Sequence, residues 1–232
     1  MHPAAPLDSP PRPPRPHKSR AALTAALLGV LSVLLILLVE LEWRPLRTLD
    51  GDIARTTHRW AVAHDGLTQA SRILTDWVWD PWTMRALCAA TVVWLAFRGA
   101  RWLALWVAAA SLVGTAVQQG LKAAVDKPRP TWPDPVDSAH FAAFPSGHAM
   151  TATVFCGLLL WLLRLYGAGP AAWRTAVTIA VVSVVGVGVT RVWNGVHWPT
   201  DVVGGWLLGA LMVTLAIATY AYRPGARAAD TA

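Results

Sequence analysis

Nineteen consecutive residues, Ala21 to Val39, carry no charge and consist mostly of Leu, Val and Ala. At 1.5 Å per residue such a helix is ~28 Å long, close to the thickness of a bilayer's hydrocarbon core. The run ends in Glu40-Leu41-Glu42-Trp43, which offers no small-residue cleavage site, so it reads as an uncleaved anchor and not as a cleaved leader. Further apolar runs follow. With 232 residues, 55% hydrophobic and only 14% charged, the chain is neither a disordered protein nor an ordinary soluble domain. The expected architecture is all-α: an integral membrane bundle of six helices.

Residues 1 to 20 hold seven prolines together with Arg12, Arg15, Lys18 and Arg20, a composition that builds no core and predicts a disordered basic tail. Between 43 and 80, Ile53, Thr57, Trp60, Ala61, His64, Leu67, Ser71 and Leu74 fall at helical spacing. That pattern predicts one or two amphipathic helices lying along the membrane surface between spans 1 and 2. Asp80-Pro81 reads as a helix cap opening a second span that runs through Phe97, within which Arg85 can snorkel. Spans are then expected at 102–121, 148–163, 175–189 and 202–222, with 122–145 as a polar, proline-rich loop. The membrane domain is expected over 21–222, followed by a second tail at 223–232.

The net charge of +7 would raise nucleic-acid binding in a soluble protein, but its placement follows topology. Six spans put both termini and the turns at 98–101 and 164–174 on one side. That side holds ten basic residues against Asp8 and Asp230, a balance of +8, and the other side balances at −1. The positive-inside rule then places both termini in the cytoplasm, and no nucleic-acid partner is expected. Cys88 and Cys156 lie within apolar runs and suggest neither a metal site nor a disulfide framework.

Three clusters fall on the outer side: Lys122 with Arg129-Pro130; Pro145-Ser146-Gly147-His148; and Arg191 with His197 and Asp201. Each has a plain reading by itself, as snorkelling cations, a turn with a helix cap, or a satisfied interfacial histidine. Together they are complementary. Lys122, Arg129 and Arg191 suit the charged oxygens of a phosphate. Ser146 precedes a span whose amino end favours an anion. His197 and Asp201 are four apart with Pro199 at the first helical turn, so the carboxylate can reach back and orient the imidazole. An imidazole oriented in this way can attack phosphorus, and His148 is a second imidazole suited to protonating a leaving alkoxide.

The ordered trio Lys122-x6-Arg129-Pro130, Pro145-Ser146-Gly147-His148 and Thr190-Arg191-x5-His197-x3-Asp201 resembles the type 2 phosphatidic acid phosphatase superfamily. The resemblance implies a phosphohistidine formed at His197, support from Asp201, and His148 as the acid. It further implies that Lys122, Arg129, Arg191, Ser146 and the backbone at Gly147 hold the phosphoryl oxygens, without metal or cofactor. The usual Ser before the third-motif Arg is Thr190 here. The expected activity is hydrolysis of a lipid phosphate or diphosphate at the outer leaflet: polyprenyl diphosphate, phosphatidic acid or phosphatidylglycerol phosphate. Abundant Ala, Arg, Trp and Pro give the chain a bacterial character, which favours a bacterial plasma membrane and polyprenyl diphosphate. The alternatives are a lipid phosphotransferase using the same intermediate and a non-catalytic anionic-lipid binding or transport protein. Oligomeric state is not legible in the sequence.

Overall fold

The computed structural model describes residues 18–221, and all its regular elements are helical, with no strand among the described residues. The two expected tails, 1–20 and 223–232, lie outside that range except for the first residues of the first helix. In chain order the helices are α1 (Lys18–Glu40), α2 (Arg44–Ala63), α3 (Asp65–Ile73), a π-helical turn at Leu74–Val78, α4 (Pro81–Phe97), α5 (Arg101–Val125), α6 (Gly147–Leu165), α7 (Pro170–Trp193) and α8 (Pro199–Ala221). Five of them, α1, α5, α6, α7 and α8, are long and apolar enough to cross a membrane. The protein is an all-helical membrane protein.

The observed helices outrun the expected spans at the ends that bear charge. Lys122 belongs to the last turn of α5 and not to the following loop, Arg191 lies inside α7, and Asp201 lies in the first turn of α8. The reason is that apolar runs underestimate helices whose final polar turn is satisfied by partners outside the bilayer core. Helix starts follow their capping residues. Asp80 accepts from the backbone N–H groups of Trp82 and Thr83, and Ser146 accepts from that of Ala149.

Helices α6 and α8 form the centre. Their backbones meet at Gly205, where a Cβ would come 2.8 Å from the Ser146 carbonyl oxygen and 3.0 Å from the Met150 nitrogen. Small residues permit such close approach where apolar burial gives little drive between helices in lipid. The end of the bundle near the α4–α5 turn is filled by Leu95, Leu103, Val107, Leu158, Trp161 and Tyr220, with Trp161 packed edge-on to Tyr220 at 5.0 Å. A smaller cluster of Trp79, Met84, Ala152 and Val187 supports the other end. Helix α2 turns Asp50, Gly51, Ala54, His58 and Ala61 inward and leaves Leu49, Ile53, Trp60 and Val62 exposed. Leu49, Ile53, Trp60 and Val62 therefore face away from the protein, whereas Ala61 of α2 and Ser71 of α3, both part of the expected stripe, turn inward.

Candidate active site

The Thr190–Asp201 segment contributes the centre of the site. Helix α7 ends at Trp193, Gly195 turns the chain at φ +68°, and Pro199 opens α8. This tight reversal leaves His197 between two helices, 1% exposed, with Asp201 fully buried beneath it. Asp201 Oδ2 lies 3.2 Å from His197 Nδ1 and accepts from the Trp198 backbone N–H at 2.8 Å. The second bond is half of a capping box, so the carboxylate that orients the imidazole is itself fixed by the start of α8.

Arg129 supplies the other side. Its guanidinium donates from Nη1 to His197 Nε2 at 3.1 Å and to the Val196 carbonyl at 2.5 Å, and from Nε to the Phe141 carbonyl at 2.9 Å. Because arginine can only donate, Nε2 is the acceptor, and the ring proton sits on Nδ1 facing Asp201. Burial, with Arg129, Arg191, Lys122 and Lys127 adding to it, holds the His197 imidazole well below its ordinary range, so the ring is the free base. Burial and the nearby Arg191 likewise push the Arg129 guanidinium down to about 10, still charged at neutral pH.

Lys122 Nζ donates to the Ala142 carbonyl, and Arg129 reaches the carbonyls of His140 and Ala142 in the same loop. Arg191, 4% exposed, donates to Thr75 Oγ1 at 3.4 Å and lies 3.5 Å from Asp137 and 4.0 Å from Asp76. His148, half-buried in the first turn of α6, lies within the electrostatic reach of Arg191, His197, Arg129 and Lys122. Ser146 is fully buried as the cap of α6, and its backbone N–H donates to the Asp201 carbonyl at 2.9 Å, which locks the second motif to the third. At Gly147 a Cβ would stand 2.7 Å from Gln118 Nε2, so glycine lets α5 approach the start of α6. The structure thus gathers all three motifs at one end of the bundle. Thr190 is different: its hydroxyl donates to the Val187 carbonyl at 2.9 Å within its own helix.

Lys127, Trp132, Asp134 and Asp137 lie in the same outer loops by sequence, but their partners, and the part played by Asp50 and His58, come only from the fold. Asp201 is not committed to His197 alone, because its Oδ1 accepts from Lys127 Nζ at 2.9 Å. Lys127 also donates to Asp50 Oδ2 and Thr200 Oγ1, and Asp50 accepts from the Thr200 backbone N–H. Asp137 pairs with Arg191 and accepts from Asn194 Nδ2 at 3.3 Å. His58 stacks on Trp132 at 4.1 Å and bonds Asp134 at 3.0 Å, which holds the Asp134 carboxyl below its usual range. The available signal was the spacing of Asp50, Ala54, His58 and Ala61, a small and polar stripe on an otherwise amphipathic helix.

The model of the PAP2 superfamily matches residues 99–224, more than half of the chain. A phosphatidylglycerophosphatase B from Bacillus subtilis (strain 168) is 36% identical over 96 residues, which is 41% of this chain and 47% of that protein. An undecaprenyl-diphosphatase from Sulfolobus acidocaldarius is 33% identical over 90 residues, 37% of this chain and 35% of that protein. The matched segments therefore span half or less of these curated relatives. A crystal structure described as the first transmembrane PAP2 type phosphatidylglycerolphosphate phosphatase from Bacillus subtilis shares the fold. Its TM-score is 0.73 at 22% identity, covering 85% of this chain and 96% of that one. The match takes in every residue of the three motifs that the fold gathers around His197, and the chain belongs to the PAP2 superfamily.

Proposed function

We propose that the protein is a membrane phosphatase that hydrolyses a lipid phosphate or diphosphate through a phosphohistidine at His197 Nε2. The observation that carries this reading is the pair of bonds on the His197 ring: Asp201 accepts a hydrogen bond from Nδ1–H, and Nε2 is left as a lone pair aimed at Arg129. An oriented, neutral imidazole facing a cation is poised to attack a phosphoryl group bound by that cation.

In the proposed reaction Lys122, Arg129 and Arg191, with Ser146 and the backbone at Gly147, hold the phosphoryl oxygens through the transition state. His148 protonates the departing oxygen, and water then cleaves the phosphohistidine. Three cations supply the positive charge that a divalent ion provides at many phosphoryl-transfer sites. Helix α4, 17 residues or ~25 Å long, completes six spans together with the five longer helices. Both termini then lie in the cytoplasm of a bacterial plasma membrane and the site faces the outer leaflet, with α2 and α3 along the surface. Relatives named as a phosphatidylglycerophosphatase and an undecaprenyl-diphosphatase support a lipid phosphate or diphosphate as the substrate class.

Purified protein assayed in detergent against polyprenyl diphosphate, phosphatidic acid and phosphatidylglycerol phosphate is expected to release phosphate from at least one, with excess EDTA leaving the rate unchanged. His197→Ala is expected to abolish release. Asp201→Asn should retain the fold and lose on the order of 10⁴-fold in rate, as the loss of an orienting carboxylate does in a catalytic triad. Near-native release by His197→Ala would refute the mechanism.

A further inference from the structure

Lys127 is not a named position of any motif, lying in the unspecified stretch between Lys122 and Arg129, yet its ammonium sits at the centre of the buried polar network behind His197. An ammonium has three N–H donors. All three are engaged: Asp201 Oδ1 at 2.9 Å, Thr200 Oγ1 at 2.7 Å and Asp50 Oδ2 at 3.1 Å. The Trp198 ring lies 5.8 Å away, and its indole N–H donates to the Pro128 carbonyl, which fixes the backbone next to Lys127.

We propose that Lys127, anchored by Asp50 of α2, is a positioning residue for the His197–Asp201 pair, so that α2 is part of the catalytic apparatus. The proposal rests on the phosphohistidine reading above and extends it to residues that the motifs do not specify.

The carboxylate of Asp201 has two oxygens with separate tasks. Oδ2 serves His197 and the Trp198 N–H, and Oδ1 serves Lys127. Without Lys127 the fully buried carboxylate would keep one oxygen unpaired, at a cost, and only the Trp198 N–H would resist a turn about its last bond that shifts the imidazole it orients. Lys127 holds that rotation from behind. Asp50 in turn holds Lys127 and also accepts from the Thr200 backbone N–H at 2.9 Å and the Thr200 hydroxyl at 2.5 Å. An acid on α2 therefore satisfies an open donor at the start of α8 across the fold. The side chains of Asp50 and Lys127 are only 7% and 17% exposed, so solvent competes weakly for these bonds. With its three donors taken inside the network, Lys127 has none left for a phosphate, whereas Lys122 donates to a single carbonyl and Arg191 Nε has no partner among the described residues.

The test is steady-state kinetics on a lipid phosphate that the wild type hydrolyses, with each variant's Tm in detergent confirming that it folds. Lys127→Met should lower kcat by about 10²-fold with KM within about threefold of wild type, the size of effect that a misplacement near 1 Å produces. Lys127→Arg should recover most of the loss, and Asp50→Asn should lower kcat by a smaller factor. Because the effect passes through Asp201, Lys127→Met added to Asp201→Asn should cost less than about threefold more. A raised KM with unchanged kcat would make Lys127 a substrate ligand and overturn the proposal, as would losses that multiply independently in the double variant. If Lys127→Met does not fold, Asp50→Asn, alone and combined with Asp201→Asn, decides in the same way. Turnover by His197→Ala would remove the phosphohistidine reading itself. A dead His197→Ala beside multiplying Lys127 and Asp201 losses would remove only the proposal for Lys127.

Discussion

At the scale of single residues, the site combines one neutral ring with an excess of cations, and two consequences can be measured. Burial first, and then four neighbouring positive charges, keep His197 well below its ordinary range. The unfavourable form is the imidazolium, so acid reaches the nucleophile only far below the ordinary value of about 6.5. The value of kcat/KM, which reports the free enzyme, should therefore change by less than about threefold between pH 7.5 and 5.5 once the substrate's own ionisation is allowed for, and a remaining limb centred near 6.5 would contradict this. The second consequence concerns Asp137. Its carboxylate lies 3.5 Å from Arg191 and occupies a direction that an anion would use. Asp137→Asn should strengthen inhibition by vanadate by about fivefold, equivalent to ~1 kcal/mol, because it removes a nearly buried competitor for Arg191. Weaker inhibition would mean that Asp137 steadies Arg191 and does not compete with the substrate.

At the scale of elements, the chemistry depends on where two helices begin. The cap of α6 at Ser146 and the first turn of α8 at Asp201 are joined by one backbone bond and pressed together at Gly205. A side chain at 205 must push against the Ser146 carbonyl and the backbone of Met150, neither of which can swing aside. Gly205→Val should cost 1–3 kcal/mol of stability, within the usual range of about that size for overpacking, and should lower Tm in detergent together with activity. Gly29→Val on α1, where no atom lies within 4 Å of the new Cβ, serves as the control and should leave both unchanged. Equal effects at the two positions would show that the α6–α8 contact is not what holds the site.

At the scale of the whole molecule, the distribution of charge decides which compartment the site faces. The +8 against −1 division between the two sides should place 131–140 outside and 98–101 in the cytoplasm. In a background lacking Cys88 and Cys156, Ser138→Cys should react with an impermeant thiol reagent in intact cells, and Arg98→Cys only after lysis. Both are exposed positions, so failure to react reports the compartment and not burial. The reverse pattern would turn the site toward the cytoplasm and abandon the outer-leaflet role.

The sequence by itself determined that the chain is helical and which residues are candidates for the site. Uncharged runs the length of a bilayer leave helices as the main solution, and three motifs at fixed spacing name His197, Asp201, Arg191, Arg129, Lys122 and His148. These features are local: hydropathy, capping and the four-residue reach from His197 to Asp201 all operate within one segment of chain. Only the tertiary structure decided that Asp201 is shared with Lys127, that Arg191 faces Asp137, and that Asp50 holds the start of α8 from 150 residues away. The physical reason is that a buried charge must find a partner wherever the packed fold brings one, and the spacing of a partner on another helix leaves no trace in either segment. For the same reason the polar ends of α5, α7 and α8 extend past their apolar runs: their last turns are stabilised by loops and helices that the local pattern does not contain.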